Sequence, residues 1–372
     1  MIKNNIWSKV EELEKPTINH FDASLSGAKV LDSSRIMPGY TLNEGKLIDI
    51  DGKVVREWPF RYLGLIQKDG SYIAQEYYES KKWGKFSFDG NNIWTSDVPI
   101  HHDIIITPDN TIMTFTKEMH RYKGRDVDFC VIVEFDQQGK ELWRWSSWEH
   151  LSELKSRHKA LELDMPKVLF FDMVKKKPKT PWGGNYDYYR FNSLQIIPKN
   201  DLKFQEGSIL VSARHGSLIF ILDNGSNEIK WFISKKDIGI EGQHSAQLLP
   251  NGRLLIFDNG RYRGWSRVIE LNPKTMKIEW EYKSDDFFTL SQGYVQRLEN
   301  GNTLITESEK GHVFEIDSAG KKVWEFYHPE MQDKLNSPDH PESWGSRQWI
   351  YRAVRYDKEF IGRLSEQRQN PI

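Results

Sequence analysis

The sequence predicts an all-β fold, a six-bladed β-propeller closed by pairing N- and C-terminal strands, with a partly helical insertion at about 146–190. Three observations carry this: a hairpin ending at Trp that recurs along the chain, a second recurring hairpin between its copies, and incomplete units at the two ends that complete each other.

The first pattern is an apolar β-run, a turn built on Asp or Asn, and a short run carrying Trp. It appears as LIDIDGKVVREW, FSFDGNNIW, VEFDQQGKELWRW, FILDNGSNEIKW, IELNPKTMKIEW and FEIDSAGKKVWEF, at Trp58, Trp94, Trp145, Trp231, Trp280 and Trp324. Alternating strands around such turns read as hairpins. The second pattern reads LGLIQKDGSYIAQ, HHDIIITPDNTIMTF, NSLQIIPKND followed by GSILVSA, HSAQLLPNGRLLIF and YVQRLENGNTLITE. Two hairpins per unit make a four-stranded blade, and the Trp spacing of 36 to 51 residues suits one.

The exception is the 86-residue step from Trp145 to Trp231. Residues 146–190 lack the turn-and-Trp signature and read as an insertion or lid. Ser146 or Ser147 caps a helix carrying Trp148, Leu151 and Leu154 on one face, and Gly183-Gly184 turns or hinges the return. Lys175-Lys176-Lys177 with Lys179 reads as a solvated loop. The unit at 46–58 has no first hairpin in front of it, and QWIYRAVRYDKEF near the C-terminus supplies a lone first strand. Joining them closes the ring without a free sheet edge. The chain divides into a 1–39 N-terminal extension that begins as a short polar helix, a 40–362 propeller and a 363–372 C-terminal tail.

Composition narrows the partners. Lys+Arg 52 against Asp+Glu 53 gives a net charge of −1, with no global attraction to nucleic acid or an anionic membrane. Cys130 is alone, so no intrachain disulfide or cysteine-rich zinc module is expected. No run of about eighteen apolar residues and no signal-peptide core is present, so a cytoplasmic protein is expected. Phosphate-loop, dinucleotide-binding and nucleophile-elbow motifs are missing as well.

Each blade's first strand lines the central channel, so stacking the units on their turns finds the residues that converge there. One column holds Tyr62, His102, Asn192, His244, Gly293 and Tyr351. The next holds Leu63, Asp103, Ser193, Ser245, Tyr294 and Arg352, and the preceding one Arg61, His101, Phe191, Gln243, Gln292 and Ile350. Histidines, arginine and amides stand where a blade core would carry Val, Ile or Leu, which makes the channel the candidate site. Arg214 enters from the second strand, matching Asn259 and Ser308. Inward Asp103, Ser193 and Ser245 also suit bracing between blades. His215 and His312 precede third strands and read as structural, and His20, His150 and His158 as solvent-facing; His120 follows a strand, with the channel mouth as the lesser of its two readings.

At these residues the chain resembles the arylsulfotransferase family. HHDI at 101–104, NSLQ at 192–195, SAR at 212–214, GQHSAQLLPNGRLLIFDNG at 242–260 and IYRAVRY at 350–356 carry the resemblance, over roughly residues 40–360. It implies a six-bladed propeller and an enzyme moving a sulfuryl group from an aryl sulfate to a phenol through a sulfated histidine. By motif, His244 is that nucleophile, His102 the second histidine and Arg214 the sulfate-binding arginine. His101, Asn192, Phe191, Arg352, Tyr294, Tyr62 and Gln243 are expected to bind substrate. The family usually carries histidine just before Asn-Ser, where this chain has Phe191.

The residues suit that chemistry without a metal or other cofactor: neutral imidazole is a nucleophile near pH 7, and guanidinium matches a tetrahedral oxyanion. Two other readings stay open. His102, Asp103 and His244 are ligand types of a divalent metal, which allows a lyase, hydrolase or cyclase acting on an aromatic or sugar-like molecule. The ring is also compatible with a non-catalytic binding propeller. The expected partner is a small aromatic molecule, not nucleic acid or membrane, and pairing into a homodimer is left open.

Overall fold

The computed structural model describes residues 24–369 except 78–79, 158–181, 185, 201–203, 333–345 and 348. Six antiparallel sheets follow one another along the chain, and their first strands touch round the ring. Blade 1 is ordered Ala353–Asp357, Gly39–Asn43, Lys46–Ile48, Val54–Glu57, so the C-terminal strand completes the N-terminal blade. Blade 2 comprises Tyr62–Ile66, Tyr72–Gln75, Trp83–Phe86 and Asn92–Ser96; blade 3 comprises His101–Ile106, Ile112–Tyr122, Arg125–Phe135 and Glu141–Ser146. Blade 4 comprises Phe191–Ile196, Ile209–Ala213, Leu218–Leu222 and Ile229–Ser234. Blade 5 comprises His244–Leu248, Leu254–Asp258, Arg267–Asn272 and Lys277–Tyr282; blade 6 comprises Tyr294–Arg297, Thr303–Glu307, His312–Ile316 and Lys322–Tyr327.

The apolar cores lie between blades, not on the axis. Phe115, Phe129 and Trp145 of blade 3 pack against Phe191, Val211 and Phe220 of blade 4, and a comparable cluster fills each of the other interfaces. The recurrent Trp has a physical role beyond area burial. Indole Nε1 of Trp58, Trp94, Trp145 and Trp324 each donates to a turn carbonyl of the following blade (Ser87, Gln137, Asn227 and Ile50). Burying a large ring while pairing its N–H removes the cost of an orphaned donor.

Nearer the axis, side chains of one first strand bond the backbone of the next. Asp103 Oδ2 accepts Leu194 N–H, Ser193 Oγ accepts Ala246 N–H, and Ser245 Oγ accepts Val295 N–H. Gln195 both donates to and accepts from Leu248, and Gln296 does the same with Arg355. The first strands are thereby fixed relative to one another, as a site assembled from several blades requires.

Both ends add elements that hydrophobic patterning did not disclose. Gly27–Val30 pairs antiparallel with Lys322–Tyr327 as a fifth strand of blade 6. The C-terminal helix, Lys358–Gln369, lays Ile361 and Leu364 on the core between blades 1 and 2. Helix α1, Leu151–Arg157, begins the insertion; Ser146 Oγ accepts N–H groups of Trp148 and Glu149 ahead of it, and Leu154 is buried with Trp148 and Leu151 beside it. Helix α2, Lys235–Ile238, directly follows the last strand of blade 4. The returning Tyr186–Asp187 runs parallel to Val127–Asp128. A Cβ at Gly184 would lie 2.2 Å from Asp128 Oδ1, so only glycine lets its N–H reach that oxygen. The expected N-terminal helix, the lysine run at 175–179, His20, His158 and most of the lid reading lie outside the described residues.

Candidate functional site

The site is created by one irregularity repeated in four consecutive blades. In blade 3, Ile104 pairs with Thr114 but His101 pairs with Phe115, so His102 and Asp103 bulge out of the ladder. Equivalent register shifts occur between Tyr62 and Leu65, Phe191 and Ser193, and His244 and Gln247. Leu63, His102 and Ser245 take left-handed φ of 56°, 64° and 49° within these bulges. A bulge re-aims side chains that a regular strand would send to alternate faces, and left-handed backbone at non-glycine residues stores strain typical of functional sites.

His244 is 3% exposed, and its Nδ1 lies 2.7 Å from Asn259 Oδ1. Asn259 cannot be turned round, because its Nδ2 donates to the carbonyls of Thr289 and Gln292. Its oxygen therefore faces the imidazole, His244 carries its proton on Nδ1, and Nε2 keeps its lone pair. Burial, then the charge of Arg214, lowers the His244 pKa to about 3. The strand is braced from behind by Gln243, fully buried, whose Nε2 reaches Ser212 Oγ and the carbonyls of Ala213 and Leu218. Gly293, at φ 96°, leaves the space that Phe257 occupies opposite His244; a Cβ there would lie 2.5 Å from that ring.

Across from it, Asn192 donates to Gln243 O at 2.7 Å, which leaves its buried Oδ1 without a hydrogen bond. His101 and His102, adjacent in sequence, face each other with Nδ1 atoms 2.7 Å apart, and His101 Nε2 lies 3.2 Å from Thr116 O. Burial first, then neighbouring positive groups, holds both imidazoles well below the usual histidine range; the His102 neighbours include Arg190 and His244. Tyr351 donates its hydroxyl to His102 O and packs on Tyr62 at 4.4 Å between ring centres. Trp182, at the end of the insertion, meets His101 edge to face at 5.4 Å and donates to Thr116 Oγ1.

Two arginines border the histidines. Arg214 N–H donates to Arg190 O at 3.0 Å, and the Arg214 side chain passes beside Gly242, two residues before His244. Arg190 stands at φ 53°, held through its N–H by Asp187 Oδ1, and its charge acts on His101, His102, His215 and His244. Patterning missed Arg190 because it sits in the irregular return of the insertion; its one signal was a cation flanking the channel column. Asn259 was aligned with Arg214 but given no role. Lys117 Nζ pairs with Asp187 at 2.6 Å; burial opposes the Asp187 charge, yet Lys117 and its cationic neighbours win and keep it ionised.

Other expected site residues are engaged in contacts of their own. Phe191 is fully buried in the blade 3–blade 4 core against Phe115, Trp145, Tyr189 and Phe220. Arg352 is engaged with Asp103 and Leu63 O and lies over Tyr294. His120, on the long hairpin of blade 3, stacks on Trp148. Among the described residues no three His, Cys, Asp or Glu side chains converge as a metal site, so the metal-assisted reading finds no ligand set there.

Sequence comparison with curated proteins gives no match. Among solved structures, a protein of unknown function from Bacteroides caccae is 16% identical with a TM-score of 0.49, covering 78% of this chain and 93% of that one. A streptogramin B lyase is 10% identical, TM-score 0.44, covering 88% and 97%. A catalytically inactive virginiamycin B lyase from Staphylococcus aureus, solved with quinupristin, is 10% identical, TM-score 0.41, covering 81% and 74%. The family model described as arylsulfotransferase (ASST) matches residues 47–328, a span that starts within blade 1 and takes in His102, Asn192, Arg214 and His244. With that match over most of its length, and the six-bladed ring beneath it, the chain belongs to the arylsulfotransferase family.

Proposed function

We propose that the protein transfers a sulfuryl group from an aryl sulfate to a phenolic acceptor through a sulfohistidine at His244. Family membership supports an aryl sulfotransferase type of function and a transferase. The observation that carries the finer reading is the Asn259 contact, which leaves Nε2 as the nucleophilic nitrogen of a neutral imidazole. In the first half-reaction that lone pair forms the N–S bond while the S–O bond to the aryl group breaks and the phenolate departs with the electron pair. In the second, an acceptor oxygen attacks sulfur and the pair returns to Nε2.

Sulfuryl transfer, like phosphoryl transfer, needs positive and hydrogen-bonding groups around the non-bridging oxygens. Arg214 and Arg190 supply guanidinium forks beside His244, and His102 lies within electrostatic reach of it. Burial of the imidazoles strengthens these interactions by excluding water. Nitrophenolate release from 4-nitrophenyl sulfate with phenol as acceptor tests the reading. Wild-type release, its loss in His244→Ala, and a sulfated His244 peptide trapped without acceptor are expected. Wild-type turnover retained by folded His244→Ala would overturn it.

A further inference from the structure

We propose that His101 is a positioning residue that fixes the proton of His102, so that His102 serves the second half-reaction as a proton acceptor. The inference deepens the sulfuryl-transfer reading and rests on it for the chemistry, though not for the proton's location.

A regular strand places neighbouring side chains on opposite faces, and the left-handed His102 breaks that alternation. Both imidazoles are buried, at 4% and 6% exposure, with their Nδ1 atoms 2.7 Å apart. Two nitrogens at that distance share one proton: two N–H groups would repel, and two lone pairs would leave no bond. The carbonyl of Thr116 decides which ring owns it. A carbonyl can only accept, so His101 Nε2 carries hydrogen toward Thr116 O. A neutral imidazole has one N–H, and His101 is held neutral by burial and by Lys117 nearby. His101 Nδ1 is therefore the acceptor, His102 Nδ1 the donor, and His102 Nε2 holds a lone pair.

The backbone of Thr116 thus sets the state of an imidazole two bonds removed, through a ring clamped between Phe115, stacked at 5.6 Å, and Trp182. His102 itself is fixed through its carbonyl, which accepts the Tyr351 hydroxyl. In the second half-reaction the acceptor's O–H bond breaks as its O–S bond forms. The proton goes to His102 Nε2, the N–S bond opens, and the electron pair returns to His244 Nε2. With the opposite tautomer His102 would present an N–H there and accept nothing.

Long-range 1H–15N spectra of protein labelled at histidine nitrogens read the tautomer directly, with His102→Gln identifying the His102 signals. In wild type, protonated Nδ1 and an unprotonated, pyridine-like Nε2 are expected for His102. In His101→Leu, which removes the acceptor, the His102 proton redistributes toward Nε2, and desulfation of sulfated enzyme by phenol falls about tenfold or more beyond any loss in nitrophenolate release. His101→Gln, which keeps an acceptor and a donor, recovers part of both. A His102 that is protonated on Nε2 in wild type, or unchanged in folded His101→Leu, overturns the proposal. Failure of the sulfuryl-transfer reading looks different: the tautomer is as expected, yet no aryl sulfate is turned over.

Discussion

Arg352 Nη1 lies 2.6 Å from Asp103 Oδ1, an ion pair with both side chains buried that links blade 1 to blade 3 and collects the Leu63 carbonyl of blade 2 on the way. Asp103 is further bound by the N–H groups of Ile104 and Leu194. The pair spans the sector of the inner ring where Leu63 of blade 2 lies. Removing one partner leaves a buried charge alone, so Arg352→Met or Asp103→Leu is expected to cost about 3–5 kcal/mol, and the double variant to recover much of that loss. Urea unfolding checks this. An Arg352→Met protein of unchanged stability but raised KM would instead return Arg352 to substrate binding.

Phe191 stands where the family resemblance expects histidine, yet it is core. Phe191→Ala is expected to lower stability by about 3–5 kcal/mol, the cost of a large cavity in a packed aromatic cluster. Phe191→Leu should cost less and leave the KM for an aryl sulfate near its wild-type value. Denaturant midpoints beside steady-state kinetics separate the two effects.

Acid should destabilise the protein over a defined range. His101, His102, His215 and His244 are all buried with lowered pKa values, primarily through burial, His244 to about 3. Below about pH 6.5 the unfolded chain binds protons at these residues while the folded chain does not. Their contribution is thus complete above pH 6.5 and is lost as pH falls toward the folded values, each group adding a slope of up to about 1.4 kcal/mol per pH unit. Urea unfolding between pH 7 and pH 4 measures it, and His215→Leu, if it folds, should flatten the curve.

Activity should hold where stability declines. If His244 is the nucleophile, its lowered pKa keeps Nε2 unprotonated, so kcat/KM for 4-nitrophenyl sulfate stays level from about pH 8 to pH 5 instead of falling near 6.5. A pH–rate profile with an acid limb near 6.5 would place the nucleophile elsewhere.

Donors should be ranked by their leaving groups. If His102 carries its proton on the nitrogen facing His101, as proposed, it has none to give to a departing phenolate, which would then leave as an anion. 4-Nitrophenyl sulfate is expected to be used at least about tenfold faster than phenyl sulfate in the first half-reaction, as general acid assistance is worth at least that much when present. Burst kinetics with both donors measures the ratio.

The ring was legible because its repeat is chemical. Each outer strand needs a broad apolar residue against the next blade, and a Trp whose N–H reaches a turn carbonyl meets that need, so Trp58, Trp94, Trp145 and Trp324 mark the blades. His102 and His244 stood in one column for the same reason. What a column alignment cannot convey is a bulge: it places His101 and His102 in neighbouring columns, but only the left-handed turn at His102 brings their rings together. It likewise placed Phe191 beside the channel, although that strand's register sends it to the core. Arg190 follows no repeat, and the four residues Gly27–Val30 are too short to show a period.

Closure by the last strand has a consequence for biosynthesis. While the chain is emerging from the ribosome, blade 1 lacks Ala353–Asp357, and the edge of Gly39–Asn43 that pairs with it stays open until that distant strand has been made. Five blades can form in order behind it, but an open edge is a template for pairing with other chains throughout that time. Synthesis stalled before residue 353 should therefore yield a sticky, incomplete ring, and a permuted gene that begins at blade 2 and carries the strand for blade 1 in sequence would remove that interval.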